Sequence, residues 1–306
     1  MRIGVDLGGT KIEAIALSHQ GEILARQRVD TPSESYIGTV QAIADLVLRL
    51  ENETGQVGTV GVGTPGAIAP GTGLLKNANS VCLNGMPLLA DLEKALQRTV
   101  RMANDANCFA LSEAIDGAAA GASVVFGVIV GTGTGGGVIV DGKPLTGPNA
   151  IAGEWGHNPL PWPKQEELPG PQCYCGKHGC IETFLAGPWL AYDHRQVTGQ
   201  QLSTIEIVKQ ADNGKAEAEA TLQRYEGRMA RALSSVINLI DPDVIVLGGG
   251  LSNIERLYRN VPKLWGEFVF SAGVNEQVRT RLVPPRHGDS SGVRGAAWLW
   301  PVQGAS

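Results

Sequence analysis

The chain predicts an α/β fold built as two similar lobes, and three observations carry that prediction. Its 306 residues are enough for two ordinary domains, each able to bury a core of its own. A plan of apolar strand, glycine turn and apolar strand occurs twice, first in RIGVDL-GGTK-IEAIALS and again in VVFGVIV-GTGTGGG-VIVDGKPL. Segments with helical spacing of apolar residues alternate with short apolar runs between and after the two copies.

Taken in order, residues 2–7 form a strand that Gly8-Gly9 ends, and the apolar run resumes within three residues as the second arm of a hairpin. Helical spacing covers 39–50, a strand GTVGVG covers 58–63, and a helix is expected from Ala106 to Ala119. The second hairpin, 124–145, has its glycine turn at 131–137. A proline-rich loop at 159–171 and a cysteine cluster follow, then helical segments including 216–238, a strand DVIVLGGG at 243–250, and a terminal helix in GVRGAAWLW. The boundary falls near Gly117–Gly121. This gives a first lobe of 1–118 and a second of 119–290, with the helix of 291–306 packing back on the first.

Composition narrows the function. Apolar residues make up 43% and charged residues 18%, the balance of a globular chain. The net charge of −5 comes without basic runs, so the electrostatic footprint of a nucleic-acid partner is missing. No apolar stretch approaches the roughly 18 residues of a membrane span, and the N-terminal MRIGVDLGGT has no secretion signal, so the expected location is the cytoplasm. Five cysteines, an odd number, do not form a disulfide framework.

GTGTGGG matches the glycine spacing of a dinucleotide fingerprint, but a strand follows it where that fingerprint requires a helix, and there is no Walker sequence. A glycine hairpin tip can still hold phosphate, because amides without a neighbouring Cβ can converge on an anion. DLGGTK at 6–11 offers the same chemistry, with the Thr10 hydroxyl and the Lys11 cation added. Either loop alone also reads as a tight hairpin. Gly248, Gly249 and Gly250 end a strand at the edge where open α/β sheets bind ligands, and equally read as a strand-to-helix turn. Asp6 is placed either to orient a water on Mg²⁺ or to cap the turn. Asp105, within Asn104-Asp105-Ala106-Asn107, is either a helix cap or a general base that takes a proton from a hydroxyl during phosphoryl transfer.

His157, Cys173, Cys175 and Cys180 have the spacing H-x15-C-x-C-x4-C. Three thiolates and an imidazole complete a tetrahedral Zn²⁺ shell, which makes the metal structural rather than hydrolytic. A metal there would bring Glu154 and Glu182 together beside one rigid knot, able to accept hydrogen bonds from sugar hydroxyls; singly, each also reads as a solvated surface acid. Cys82 and Cys108 read as ordinary thiols.

DLGGTK, GVGTPG (61–66), NDAN (104–107), GTGTGGG, EWGH (154–157), CYCGKHGCIE (173–182) and DVIVLGGG together resemble the ROK family of sugar kinases and sugar-responsive repressors, across essentially the whole chain. LKNANS, ANDANC, AGEWGHNPLPW and HGDSSGVRGAAWLWP are most similar to its manno(fructo)kinase branch. The resemblance implies an actin-like, ribonuclease H-like ATPase fold of two lobes, with ATP and sugar meeting in an interdomain cleft. It implies Asp105 as catalytic base and sugar contacts at Gly66, Asn79, Asn104, Asp105, Glu154, His157 and Glu182. It also implies Zn²⁺ on His157, Cys173, Cys175 and Cys180. Nucleotide phosphates fall at Gly8, Gly9, Thr10 and Lys11 and at Gly131, Thr132, Gly133, Thr134 and Gly135, with Asp6 among the cofactor-binding residues and the adenosine side at Gly248–Gly250.

The expected activity is an ATP- and Mg²⁺-dependent fructokinase making fructose 6-phosphate and extending to mannose, in a homodimer. The alternatives are a glucokinase or N-acetylhexosamine kinase of the same family, or a non-catalytic sugar-sensing regulator. Family repressors carry a helix-turn-helix before the sugar module, whereas this chain enters its first strand at residue 2, which argues against DNA binding. One departure from the family pattern is the long segment PLPWPKQEELPGP between His157 and Cys173, which the prolines stiffen.

Overall fold

A computed structural model describes residues 1–78, 80–271 and 276–301. In chain order the elements are β1 (Arg2–Leu7), β2 (Lys11–Leu17), β3 (Ile23–Asp30), α1 (Tyr36–Thr54), β4 (Thr59–Thr64), the short β5 (Ala67–Ile68) and β6 (Leu75–Lys76), α2 (Leu88–Leu96), β7 (Val100–Asn104) and α3 (Asp105–Ile115). There follow β8 (Val124–Val130), β9 (Thr134–Val140), β10 (Lys143–Pro144), α4 (Glu182–Leu185), α5 (Gly187–Thr198), α6 (Thr204–Asp212) and α7 (Ala216–Ile240). The chain continues through β11 (Val244–Gly248), α8 (Arg256–Leu264), β12 (Arg281–Val283) and α9 (Ser291–Trp298).

The duplication seen in the sequence is a duplication of topology. One five-stranded sheet has the order β3-β2-β1-β4-β7 and the other β10-β9-β8-β11-β12. In the first, β1 and β2 form the antiparallel hairpin and β4 and β7 add in parallel on the far side of β1. In the second, β11 pairs in parallel with β8 and with β12.

The chain divides into two compact units, residues 1–121, 137–152 and 286–306 in the first and 122–136 and 153–285 in the second. Beside the lobes expected from sequence, the crossover lies at Gly121–Ala122, residues 137–152 group with the first unit, and the last return is at Pro285–Arg286. The turn of the second hairpin is also shorter than expected. Gly135, Gly136 and Gly137 lie inside β9, where glycine gives room for close neighbours: a Cβ at Gly136 would lie 2.8 Å from the Trp155 ring, and one at Gly137 would lie 2.7 Å from the Ala106 carbonyl. The helix expected to reach Ala119 stops at Ile115, where the Glu113 carboxylate turns back to accept from the Ala118 amide at 2.8 Å.

In the first unit, α1 starts at the Ser35 cap, whose Oγ accepts from the Gly38 amide at 3.0 Å, and ends at Gly55 in the left-handed region. Its Ile43, Leu46, Val47 and Leu50 are at most 1% exposed, each contributing about 1.5–3 kcal/mol of burial. On β1 and β4 sits α9, at backbone contact distance: a Cβ on Gly4 would lie 2.1 Å from the Val293 carbonyl, and one on Gly61 1.9 Å from that of Ala296. In the second unit, the 25-residue α7 carries the core, with Leu222, Tyr225, Met229 and Leu233 fully covered. No helix among the described residues is long and apolar enough to cross a membrane.

Candidate functional site

In the first unit the tip of the β1–β2 hairpin is closed by the Gly8 amide donating to the Lys11 carbonyl at 3.0 Å, and braced by Thr31 Oγ1 donating to the Gly8 carbonyl at 2.8 Å. A Cβ at Gly8 would lie 2.8 Å from the Lys11 carbonyl oxygen, so this turn requires glycine. Gly9, Thr10 and Lys11 are left exposed at the tip. Asp6 stands opposite Glu13 in the strand register, and Glu13 is neutralised by ion pairs with Arg26 and Arg28. Burial, then the charges of Asp105 and Glu13, raise the Asp6 carboxyl to about 6 against the opposing pull of Arg28. An acid held in this way against a second acid is a fitting seat for a divalent cation.

Asn104 is the cap of α3, its Oδ1 accepting from the Ala106 amide at 2.9 Å, while Asp105 is the first helical residue and is exposed. Asp105 Oδ1 also accepts from the Ala106 amide, at 2.8 Å. The Asn104 Nδ2 group donates to the Gly66 carbonyl at 3.1 Å, so three of the residues expected at the sugar, Gly66, Asn104 and Asp105, are joined. Gly66 adopts φ +77°, and a Cβ there would lie 2.2 Å from the Lys76 carbonyl. Asn79 lies outside the described residues; Asn84 pins its neighbour Ala78 from both sides, accepting from its amide at 2.9 Å and donating to its carbonyl at 2.8 Å.

In the second unit the tip 131–133 closes through the Gly131 amide and the Gly133 carbonyl at 2.9 Å. The loop at 248–250 lies against it: a Cβ on Gly249 would lie 2.5 Å from the Val130 carbonyl, and one on Gly131 3.9 Å from the Gly250 amide nitrogen. Gly187, at the start of α5, donates its amide to the Gly131 carbonyl at 2.7 Å, and Thr204 Oγ1 donates to the Gly187 carbonyl at 2.9 Å. The segments that start at Gly187 and end at Thr204 line a cavity of about 500 Å³ through Pro188, Tyr192, Arg195, Leu202 and Ser203. No motif in the sequence marks these residues beyond the proline that opens α5.

The four ligand atoms of His157, Cys173, Cys175 and Cys180 lie within 4.8 Å of one another. His157 Nδ1 is 3.6 Å from Cys173 Sγ, and Cys175 Sγ is 3.6 Å from Cys180 Sγ. Gly176 and Gly179, both at positive φ, turn the chain between the ligands. The other ring nitrogen, Nε2, meets the Tyr174 hydroxyl at 2.9 Å, which fixes the ring with Nδ1 facing the thiols. This donor set fits Zn²⁺, all four positions being filled by protein. Tyr174 was not anticipated. Partial burial, together with the charges of Glu182, Cys173 and Glu154, pushes its phenol up to about 12, so both acids expected at the sugar act at the edge of the cysteine knot. Glu154 is exposed; Glu182 is buried, and its Oε2 accepts from the Thr134 amide at 2.9 Å.

The long segment before Cys173 is anchored by a buried acid. Glu167 accepts from Arg228 Nε at 2.9 Å and from Arg231 Nη1 and Nη2, each at 2.8 Å. Although burial opposes ionisation, the two guanidinium groups and the Lys164 amide hold its carboxyl down at about 2.

The ROK family model matches residues 2–303. N-acetyl-D-glucosamine kinase of Vibrio parahaemolyticus is 39% identical over 303 residues, covering 98% of this chain and 99% of that protein. The enzyme of the same name from Escherichia coli O139:H28 is 40% identical over 304 residues, with the same coverage. Among solved structures, a ROK hexokinase from Thermus thermophilus superposes with a TM-score of 0.85 at 33% identity, covering 97% of this chain and 96% of that one. A glucokinase from Streptomyces griseus, in complex with glucose and AMPPNP, gives 0.77 at 27% identity, covering 97% and 98%.

Proposed function

The chain belongs to the ROK family, and from that premise we propose that it is an ATP-dependent sugar kinase whose substrate is N-acetyl-D-glucosamine. The observation that supports this reading is the near 40% identity to N-acetyl-D-glucosamine kinases over 98% of the chain. The expectation of a fructokinase gives way to the alternative of an N-acetylhexosamine kinase, since those relatives carry that activity in their names.

In the proposed reaction the primary hydroxyl of the sugar attacks the γ-phosphorus of ATP. The new oxygen–phosphorus bond forms as the bond to the β,γ-bridging oxygen breaks, ADP leaves, and the hydroxyl proton passes to the Asp105 carboxylate. Gly66 and Asn104, joined to each other by the hydrogen bond described above, are sugar contacts, as are Glu154, His157 and Glu182. The 8–11 and 131–135 loops and the Lys11 ammonium receive the phosphates, the amides of Thr132 and Gly133 being the donors of the second tip. The cavity beside Gly187 takes the nucleoside, next to the Gly248–Gly250 turn. Mg²⁺, when bound, offsets the phosphate charge, and Asp6 is the residue that would hold it through water. Zn²⁺ would be held by His157, Cys173, Cys175 and Cys180 and would fix the loop that carries Glu182.

A coupled ADP-release assay over N-acetylglucosamine, N-acetylmannosamine, glucose, mannose and fructose tests the reading. N-acetylglucosamine should give the highest kcat/KM, about tenfold or more above fructose. A preference for fructose would restore the original expectation, and no ADP release with any sugar would leave a sugar-sensing regulator.

A further inference from the structure

The cysteine knot and the glycine loop at 131–136 are stitched together at three points. On one side, Trp155 Nε1 donates to the Gly135 carbonyl at 3.0 Å, and Gly156 packs so close to the Thr134 carbonyl that a Cβ would lie 2.2 Å from its oxygen. His157, a metal ligand by position, follows directly. On the other side, two residues after the ligand Cys180, Glu182 Oε2 accepts from the Thr134 amide at 2.9 Å, and a Cβ on Gly133 would lie 2.9 Å from the same oxygen. The two arms are themselves bridged, Ile181 donating its amide to the Asn158 carbonyl at 2.8 Å and Leu160 donating to the Gly179 carbonyl at 2.9 Å.

Of these stitches only Glu182 brings a charge. Its carboxylate is buried, at 9% exposure, with Oε2 set against the Thr134 amide. A carboxylate placed there draws its stabilisation from the loop amide, and in turn fixes the orientation of the peptide plane between Gly133 and Thr134. That plane belongs to the loop assigned above to the phosphates, and Glu182 leaves α4 at a place set by Cys180.

We infer that Glu182 is a positioning residue for the nucleotide as well as a contact for the sugar: it transmits the geometry of the metal loop to the 131–135 loop, so metal occupancy sets nucleotide affinity even when no sugar is bound. This rests on the reading of that loop as the phosphate site. One oxygen of Glu182 is committed to Thr134, which makes that amide unavailable to phosphate and leaves the tip residues Thr132 and Gly133 as the donors.

The test is the dissociation constant of a non-hydrolysable ATP analogue with Mg²⁺, measured calorimetrically without sugar. It is run on wild type and on Glu182→Ala, Glu182→Gln and Thr132→Ala, each before and after removal of the tightly bound metal, with metal content and thermal midpoint recorded. Glu182→Ala should keep its metal and weaken binding about tenfold or more, the loss of one hydrogen bond to a charged acceptor. Glu182→Gln, which keeps an acceptor oxygen, should stay within about threefold of wild type. Metal removal should weaken binding in wild type, but by less than about threefold further in Glu182→Ala, because the connection is already cut. An equal effect of metal removal in both proteins, or none in wild type, overturns the inference. If Thr132→Ala weakens binding and Glu182→Ala does not, the inference fails alone. If wild type binds no nucleotide, the loop assignment fails and the inference goes with it.

Discussion

Replacing Asp105 by Asn separates the two roles that its place at the start of α3 allows. The structure gives the capping role to Asn104, whose side chain accepts from Ala106 at 2.9 Å, and the amide that Asp105 also contacts at 2.8 Å can be met by the carbonyl oxygen of an asparagine. The position is exposed, so the substitution opens no cavity and should change stability by about 0.5 kcal/mol or less. Loss of a general base should lower kcat by about 10²–10⁴, a barrier increase of about 3–5 kcal/mol. A coupled ADP-release assay gives kcat, and a thermal melt of the same preparation gives stability. Near-normal turnover in Asp105→Asn would return the residue to the helix terminus and refute the base assignment. A cap, by contrast, would show itself in Asp105→Ala as a stability loss of about 1 kcal/mol with turnover preserved.

Asp6 holds a proton up to about pH 6 in the folded chain, above the ordinary 3.8, so its contribution to stability falls as pH rises between those values. Asp6→Asn, melted without Mg²⁺, should therefore flatten the pH dependence across that window and raise the midpoint above pH 7; an unchanged profile would show that the acid is not strained. Glu167 behaves oppositely: its carboxyl is held at about 2, so the stability it contributes is complete above the ordinary 4.5 and is lost as pH falls from there towards 2. Glu167→Gln strands the Arg231 guanidinium, while Arg228 keeps Asp193, and should cost about 3 kcal/mol near neutrality, read by denaturant unfolding. Elemental analysis of purified protein should find about one zinc per chain, and Cys175→Ser, at an exposed ligand, should release it with the core still folded.

Much of this architecture could be read from the order of residues alone. Both hairpins declared themselves because apolar runs broken by Gly8-Gly9 and Gly131-Thr132-Gly133 have few other ways to fold. The cysteine cluster was legible for a similar reason: its side chains are local, three of the four lying within eight residues. What escaped the reading depends on contacts far apart in the chain. Gly135–Gly137 look like more turn until Trp155 and Ala106 are seen pressing on them. The commitment of Glu182 to an amide 48 residues away, and the seating of Gly187 on Gly131, have no sequence period to betray them. The crossing at Gly121 reads clearly as a turn, whereas the departure at Gly137 falls inside a continuous strand.

The seat of α9 on β1 and β4 has a consequence for how the protein comes into being. Strands β1 and β4 wait, with Gly4 and Gly61 uncovered, for a helix far later in the chain, while residues 122–136 and 153–285 are all available before it. The portion begun second is thus the one that can finish first, and synthesis must run past α9 before the older sheet finds its lid.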